Sequence, residues 1–369
     1  LRLTTQPRLL VEVANECNVK VGRCNTTWSD MIQLHVAVAD ALHANAAAQP
    51  ELPRPLVAGP TRAYPEDQID DFRVFKQALL PFLQGAGHAV DLLSVHLYDT
   101  YDGVSNTPFI RTGSNVVAEL DLQLAASLNV TGVAKKALVS EYGSGFRNKS
   151  MAYSPMHDWQ VLRGVTGKLF TFLERGDVVK SVPFIVGKAT WYDVVGDVQY
   201  PWVLWHRNGS DWTLTHLVKF YELFAHVEGR RVVATSSNTN VLVHAFDNST
   251  DLFVCVHNLE DGAVSVPLTV EAMPLASSVT VSRLLLLNGE PTLEVTTPAG
   301  LPSSLTLSPH ETVVVRAQHD SAAPKSTLVE TSHVSPIIVS PITPSGVGYD
   351  FDVAGNGTVA WAKLRLGLA

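Results

Sequence analysis

Two carboxylic acids in the sequence share one local setting, because each ends an apolar run. Glu16 follows Asn15 at the end of LLVEVANE, and Glu141 ends the run KALVSE. A carboxylic acid can protonate a departing oxygen, while a second carboxylate across the site attacks the carbon that this oxygen leaves. An amide beside the acid can hold a sugar hydroxyl. These residue types therefore predict cleavage of a glycosidic bond, with Glu16 as the acid/base and Glu141 as the nucleophile.

The two roles make different demands on the two acids. Glu16 must hold a proton near neutral pH, which requires a pKa raised by burial or by a neighbouring negative charge. Glu141 must stay ionised in order to attack. Acids that act in this way lie about 5–5.5 Å apart, and the product retains its anomeric configuration. The alternative is that both are ordinary strand-end acids that form salt bridges or cap helices.

Other polar residues follow the remaining apolar runs. His96 and Tyr98 occur in SVHLYD, and their two-residue spacing places both side chains on one face of a strand. We expect them to contact the substrate or the acids, although a histidine at a strand end is often part of a core. Tyr142 follows Glu141 directly and could hydrogen-bond its carboxylate.

Aromatic residues offer stacking surfaces, because the apolar face of a pyranose packs on an aromatic ring. Trp191, in the run VPFIVGKATW, is the main candidate, and a tryptophan packed in a core is the alternative. Weaker candidates at strand ends are Arg62, Tyr64 and Asp193. The segment PWVLWHRNG adds three residues that could line a cleft or only pack against it: Trp202, Trp205 and His206.

The elements that position these residues alternate between strand and helix. The apolar runs predict strands over 9–13, 55–60, 91–98, 137–142 and 179–191, and helical spacing predicts helices over 28–48, 65–85, 115–129, 157–176 and 211–227. This order is typical of a parallel α/β layout. Because every strand end carries a candidate residue, a barrel fits better than a doubly wound sheet. We expect a (β/α)8 TIM-type barrel that lacks its first three strands.

The sequence changes character after Arg230. Short alternating runs, separated by Asn, Asp, Gly and Pro, predict an all-β sandwich. We therefore predict a partial barrel over 1–229, made of barrel strands four to eight, and a β-sandwich domain over 230–318. A linker and a second, truncated β domain are predicted for 319–369. The missing initiator Met favours a chain that is incomplete at its N-terminus.

The composition and charge of the chain limit the binding partners and the cellular location that are expected. The 369 residues carry a net charge of −8 without a basic block, which argues against nucleic acid and anionic membranes as partners. We expect no metal and no cofactor, since no metal-binding or phosphate-binding motif is present. We also expect a monomer. Cys17 and Cys24 could pair, or Cys17 could stay a free thiol. Weak support for secretion comes from six glycosylation sequons, at Asn25, Asn129, Asn148, Asn208, Asn248 and Asn356.

The two acid motifs together resemble those of a known group of enzymes. VANE followed by VSEYG resembles the clan A glycoside hydrolases, which are retaining (β/α)8 barrels. The whole chain is similar to glycoside hydrolase family 86, the β-agarases and β-porphyranases, through LLVEVANE, SVHLYD, ALVSEYG, VPFIVGKATWYD and LVKFYELFAHVEGRRV. The resemblance implies Glu16 as acid/base with Asn15 on the sugar and Glu141 as nucleophile. It also implies that the cleft is lined by His96, Tyr98 and Trp191.

The expected substrate is a β-linked galactan such as agarose or porphyran, cut within the polymer. Two departures from the family pattern stand out: the strands that precede the acid/base strand are absent, and Cys17 replaces a frequent Pro. Two alternatives stay open. One is a clan A glycosidase of another specificity, such as a xylosidase or glucanase. The other is a non-catalytic carbohydrate-binding remnant.

Overall fold

The apolar runs that precede the candidate residues form one parallel sheet. A computed structural model describes residues 9–21, 25–63, 65–67, 69–101, 108–110, 114–146, 153–189, 200–271 and 276–319. The sheet contains, in chain order, β1 (Leu10–Glu12), β2 (Leu56–Ala63), β3 (Leu92–Tyr101), β5 (Ala137–Phe146) and β6 (Val178–Pro183). A short strand, β4 (Pro108–Ile110), pairs antiparallel with β3. Within the described residues β1 and β6 remain edges, so the sheet is a curled half-barrel and confirms the predicted class.

Helices follow the strands of this half-barrel, and the longer ones pack on its convex side. They are α1 (Cys17–Lys20), α2 (Trp28–Ala48), α3 (Ile69–Val74), α4 (Leu80–Ala86), α5 (Ser114–Thr131) and α6 (Pro155–Leu173), with α7 (Val218–Phe224) further along the chain. Thr27 begins α2 through a capping box with Asp30, which satisfies free N–H groups at the helix start. Ser154 caps α6 by accepting a hydrogen bond from the N–H of His157, and Pro155 occupies the first turn, where no N–H is needed. No helix among the described residues is both long and apolar enough to cross a membrane.

The alternation along β3 separates core from site. Leu93, Val95 and Leu97 are buried in the clusters that join the sheet to its helices. The intervening residues His96 and Tyr98 face the concave side, because successive side chains of a strand point to opposite faces. The strand therefore uses its apolar positions for packing and its polar positions for the site.

A second, antiparallel part of the chain packs against α6. Its strands are β9 (Arg230–Val232), β10 (Val241–Asp247), β11 (Asp251–Asn258), β12 (Val264–Pro267), β13 (Ser278–Leu287), β14 (Glu290–Thr296), β15 (Ser304–Leu307) and β16 (Thr312–Gln318). The main sheet has the order β14-β13-β16-β11-β10-β9, and β12 pairs with β15. Of the 19 residues of α6, 14 are buried, because one side of the helix meets the parallel sheet and the other meets the antiparallel sheet.

Three predicted elements differ in the structure. The helix predicted over 211–227 is wrong in its first part, where β7 (Trp205–Asn208) and β8 (Asp211–Leu214) form a hairpin. Gly209 makes the tight turn with φ of +61°, a conformation that glycine adopts without steric cost. The strand predicted over 179–191 ends at Pro183, and the helix predicted over 65–85 is broken by left-handed residues 70–72 and a π-helical turn, Phe75–Leu79.

Candidate active site

Glu16 and Glu141 meet at a buried histidine. The Nδ1 atom of His96 lies 3.2 Å from Oε1 of Glu16 and 3.3 Å from Oε2 of Glu141. One carboxylate oxygen of Glu16, one of Glu141 and one ring nitrogen of His96 all lie within 4.8 Å of one another. The two carboxyl groups are therefore about as close as a retaining acid pair requires, at the carboxyl ends of parallel strands, where barrel enzymes place their sites.

A bulge in β5 turns Glu141 toward His96. In the pairing of β3 with β5, Val95 is opposite Val139, but His96 is opposite Glu141, so Ser140 is an extra residue. Strict alternation from Val139 would send the Glu141 side chain to the helix side. The extra residue reverses the alternation and re-aims the side chain, a common use of bulges beside active sites.

The same bulge moves Tyr142 out of the cleft. Tyr142 is buried on the helix side, where its ring meets Phe172 edge-on at 5.0 Å. Its hydroxyl interacts with Ser181, and burial raises its pKa. The prediction that Tyr142 binds substrate or Glu141 is therefore wrong. Tyr98 takes that place, because its hydroxyl donates to Oε2 of Glu141 at 2.6 Å.

Arg62 serves the fold and not the cleft. Its guanidinium is 2% exposed and binds both oxygens of Asp67, at 2.5 and 2.6 Å. Glu119 adds a third contact at 3.4 Å, and burial together with the charge of Asp67 raises the pKa of Glu119. Because its guanidinium is enclosed among these acids, the prediction that Arg62 binds substrate is wrong.

The remaining candidates differ in how far the structure describes them. Asn15 is exposed beside Glu16. Tyr64, Trp191 and Asp193 lie outside the described residues. Trp202 is 3% exposed and donates to the carbonyl of Ser144, so it packs under the site and does not line it.

A third acid, Glu12, lies below the pair and has no place in the predicted site. Its Oε1 accepts a hydrogen bond from Oγ1 of Thr61 at 3.0 Å, and Thr61 shares a second hydrogen bond with Ser94 at 2.6 Å. Thr61 is the extra residue of a bulge in β2 and has φ of +51°. The available signal was Glu12 itself, a single charged residue within an apolar run.

Opposing effects act on the pKa of Glu141. Burial raises it above the ordinary value, and the nearby charges of Glu16 and Glu12 raise it further. The hydrogen bond from Tyr98 and the charge of His96 lower it. Tyr98 and His96 therefore favour the ionised form that a nucleophile needs.

Glu16 is held by an unusual backbone conformation. Its φ and ψ are 51° and 54°, in the left-handed region, and its carbonyl accepts hydrogen bonds at the start of α1. Such conformations are costly for a residue with a side chain and are concentrated at functional sites. Cys17, directly after it, is a buried free thiol whose pKa burial raises to about 11, so it is poorly suited to reaction.

An open parallel half-barrel with a close acid pair at its strand ends is the arrangement typical of barrel glycosidases. The family model described as porphyranase beta-sandwich domain 1 matches residues 240–335. A funoran endo-beta-hydrolase from Wenyingzhuangia aestuarii is 27% identical, over 97% of this chain and 50% of its own length. A beta-agarase from Pseudoalteromonas atlantica is 30% identical, over 61% of this chain and 45% of its own length.

A solved structure agrees with these sequence relatives. A beta-porphyranase of glycoside hydrolase family 86 from Bacteroides plebeius matches with a TM-score of 0.79 and 26% identity, covering 90% of this chain and 60% of that one. The chain is related to glycoside hydrolase family 86, which confirms the resemblance seen in the motifs. It spans about half the length of the curated relatives reported above.

Proposed function

We propose that this protein is a retaining endo-glycosidase that hydrolyses a β-linked galactan of the kind named for its relatives. The observation that carries the proposal is the pair of carboxyl groups of Glu16 and Glu141, which face each other across His96. The relatives named as agarase, porphyranase and funoran hydrolase support the galactan as substrate.

The reaction follows from the positions of the two acids. Glu16 gives its proton to the glycosidic oxygen while Glu141 attacks the anomeric carbon, so that the sugar is bonded to Glu141 and the leaving chain gains a hydroxyl. Glu16, now ionised, takes a proton from a water molecule that attacks the same carbon and releases Glu141. His96 holds both carboxylates, and Tyr98 orients the nucleophile.

The proposal includes where the protein works and in what form. A polymeric galactan is degraded outside the cell, so we propose a secreted protein that acts as a monomer. The rival specificities are those of xylosidases and glucanases. The rival class, a non-catalytic binding module, would bind a galactan without cutting it.

Product analysis tests the proposal. Agarose, porphyran and xylan are each incubated with the protein, with and without a chelator. Cleavage is followed by the release of reducing ends, and the anomeric configuration of the first products is read from proton NMR. We expect β-configured products from a galactan and none from xylan. The chelator matters because Glu16, His96 and Glu141 are spaced closely enough to hold a metal ion. Loss of activity on chelation, inverted products, or no cleavage of any galactan would contradict the proposal.

Replacing Tyr98 with Phe removes the hydroxyl that donates to Glu141. This hydrogen bond favours the ionised carboxylate, so its loss raises the pKa of Glu141 further. We expect the acidic limb of the kcat/KM profile to move upward by about one pH unit, which corresponds to a hydrogen bond worth about 1.4 kcal/mol.

The pH profile of Tyr221→Phe provides the control, because Tyr221 is an exposed tyrosine on α7. Its profile should match that of the unmodified protein. An acidic limb that stays in place or moves downward in Tyr98→Phe would show that Tyr98 does not stabilise an essential carboxylate.

A further inference from the structure

The hairpin of β7 and β8 presents an aromatic and cationic face. Trp205 is opposite Leu214 and Arg207 is opposite Trp212, so these four side chains share one side of the hairpin. Trp205 is 37% exposed and Leu214 is 46% exposed. We call these four residues together with Lys188 the hairpin face. Large apolar side chains grouped at a surface mark an interaction site.

The charge of this face opposes that of the whole protein. The Nζ atom of Lys188 lies 4.6 Å from the ring centre of Trp212 and 5.7 Å from that of Trp205. Lys188 is exposed, and no ion pair joins it to a carboxylate of the described residues. The chain carries a net charge of −8, yet this face combines a lysine and an arginine with two tryptophans.

The opposite side of the hairpin contacts the protein in part. His206 lies on that side, and its ring stacks on Tyr153 at 4.5 Å. The hairpin's single acid, Asp211, is opposite Asn208 and therefore also belongs to that side. Asp211 and Thr213 on that side are exposed, and Trp212 on the hairpin face is half-buried. The hairpin thus keeps its one acid on the side away from its cations and tryptophans.

The hairpin face adjoins the acid pair through a short chain of contacts. Tyr98, which binds Glu141, meets the ring of Phe184 edge-on at 5.9 Å. Phe184 directly follows β6, and Lys188 comes four residues later, within about 14 Å along an extended chain. The backbone N–H of Trp205 donates to the carbonyl of Gly187 at 3.0 Å. The hairpin therefore stands on the same rim of the half-barrel as the acids.

We propose that the hairpin face binds the galactan next to the cleavage point and selects chains that carry sulfate esters. The tryptophan rings pack against the apolar faces of sugar rings, and Lys188 and Arg207 pair with sulfate oxygens. Charge complementarity favours an anionic chain over a neutral one, because a neutral chain would need the rings alone. The inference rests on the proposed function and adds to it the charge of the substrate.

The test measures binding in a background that does not turn over. All variants carry Glu141→Gln, and Kd is measured for a sulfated galactan and for the same galactan after chemical desulfation. We expect Lys188→Gln with Arg207→Gln to weaken binding of the sulfated form by about tenfold at low salt, and to weaken the desulfated form much less. Added salt should remove the difference, because exposed ion pairs are screened. Trp212→Ala should weaken both forms.

Two variants provide matched controls. Lys180→Gln removes an exposed lysine from β6 itself, and Tyr221→Ala removes an exposed aromatic ring from α7; neither should change either Kd. Equal effects of the Lys188 and Arg207 changes on both galactans, or no effect, would overturn the sulfate assignment. An unchanged Kd in Trp212→Ala would overturn the site. Reducing-end release is assayed in parallel with the unmodified protein, which keeps Glu141, so a failure of the proposed catalysis is seen separately from a failure of binding.

Discussion

Replacing Glu141 with Gln is expected to lower galactan cleavage by about 10⁴-fold or more, as loss of a catalytic nucleophile does in other hydrolases. The amide keeps nearly the same size but cannot attack the anomeric carbon. It can still accept a hydrogen bond from Tyr98, whose hydroxyl lies 2.6 Å from Oε2 of Glu141. Folding and polysaccharide binding should therefore persist while kcat falls.

Reducing-end release and Kd, measured on the same preparation, check this prediction. Glu222→Gln is the matched control, because Glu222 is an exposed acid on α7. Its turnover should equal that of the unmodified protein. If Glu141→Gln keeps more than a small fraction of its activity, the nucleophile lies elsewhere.

Replacing Glu16 with Gln is expected to produce a different loss, which depends on the leaving group. A polysaccharide needs a proton on the departing oxygen, so its cleavage should fall by about 10²–10⁴-fold. An aryl glycoside leaves as a stable phenolate, so formation of its glycosyl-enzyme should change little. Comparing both substrates separates an acid from a residue that only supports the fold.

The Glu16→Gln variant also predicts a pH effect with a defined sign. Only ionised Glu16 raises the pKa of Glu141, and in the reacting form Glu16 carries a proton. The acidic limb of the aryl glycoside reaction should therefore stay close to its original position, whereas the basic limb, which reports loss of the proton from Glu16, should disappear. Equal losses on both substrates, or a basic limb that persists unchanged, would rule out Glu16 as the acid that faces Glu141.

Much of the site could be predicted because strand ends and alternation are visible in the sequence. The spacing of His96 and Tyr98 placed both on one face, and the structure brings both to Glu141. The half-barrel followed from the alternation of apolar runs with helical segments. The acids Glu16 and Glu141 stood out because each ends such a run.

The errors have a common physical cause in local backbone irregularity. Ser140 and Thr61 each add a residue to a strand, so that Tyr142 and Arg62 lie where regular alternation would not place them. A serine or a threonine does not by itself indicate a bulge, because the pairing with the neighbouring strand determines where the extra residue lies. The helix predicted over 211–227 includes β8, because a four-residue strand is too short to show a clear period.

The burial of α6 between the two sheets determines whether the half-barrel can be produced without the antiparallel part. Phe170 and its neighbours in this helix share one core with Phe246 and Phe253 of the antiparallel sheet. A polypeptide that ends before that sheet would expose a large apolar surface of α6 to water and would aggregate. The antiparallel part is thus a structural partner of the half-barrel, and any exchange of it between related proteins would have to preserve the face of α6 on which it rests.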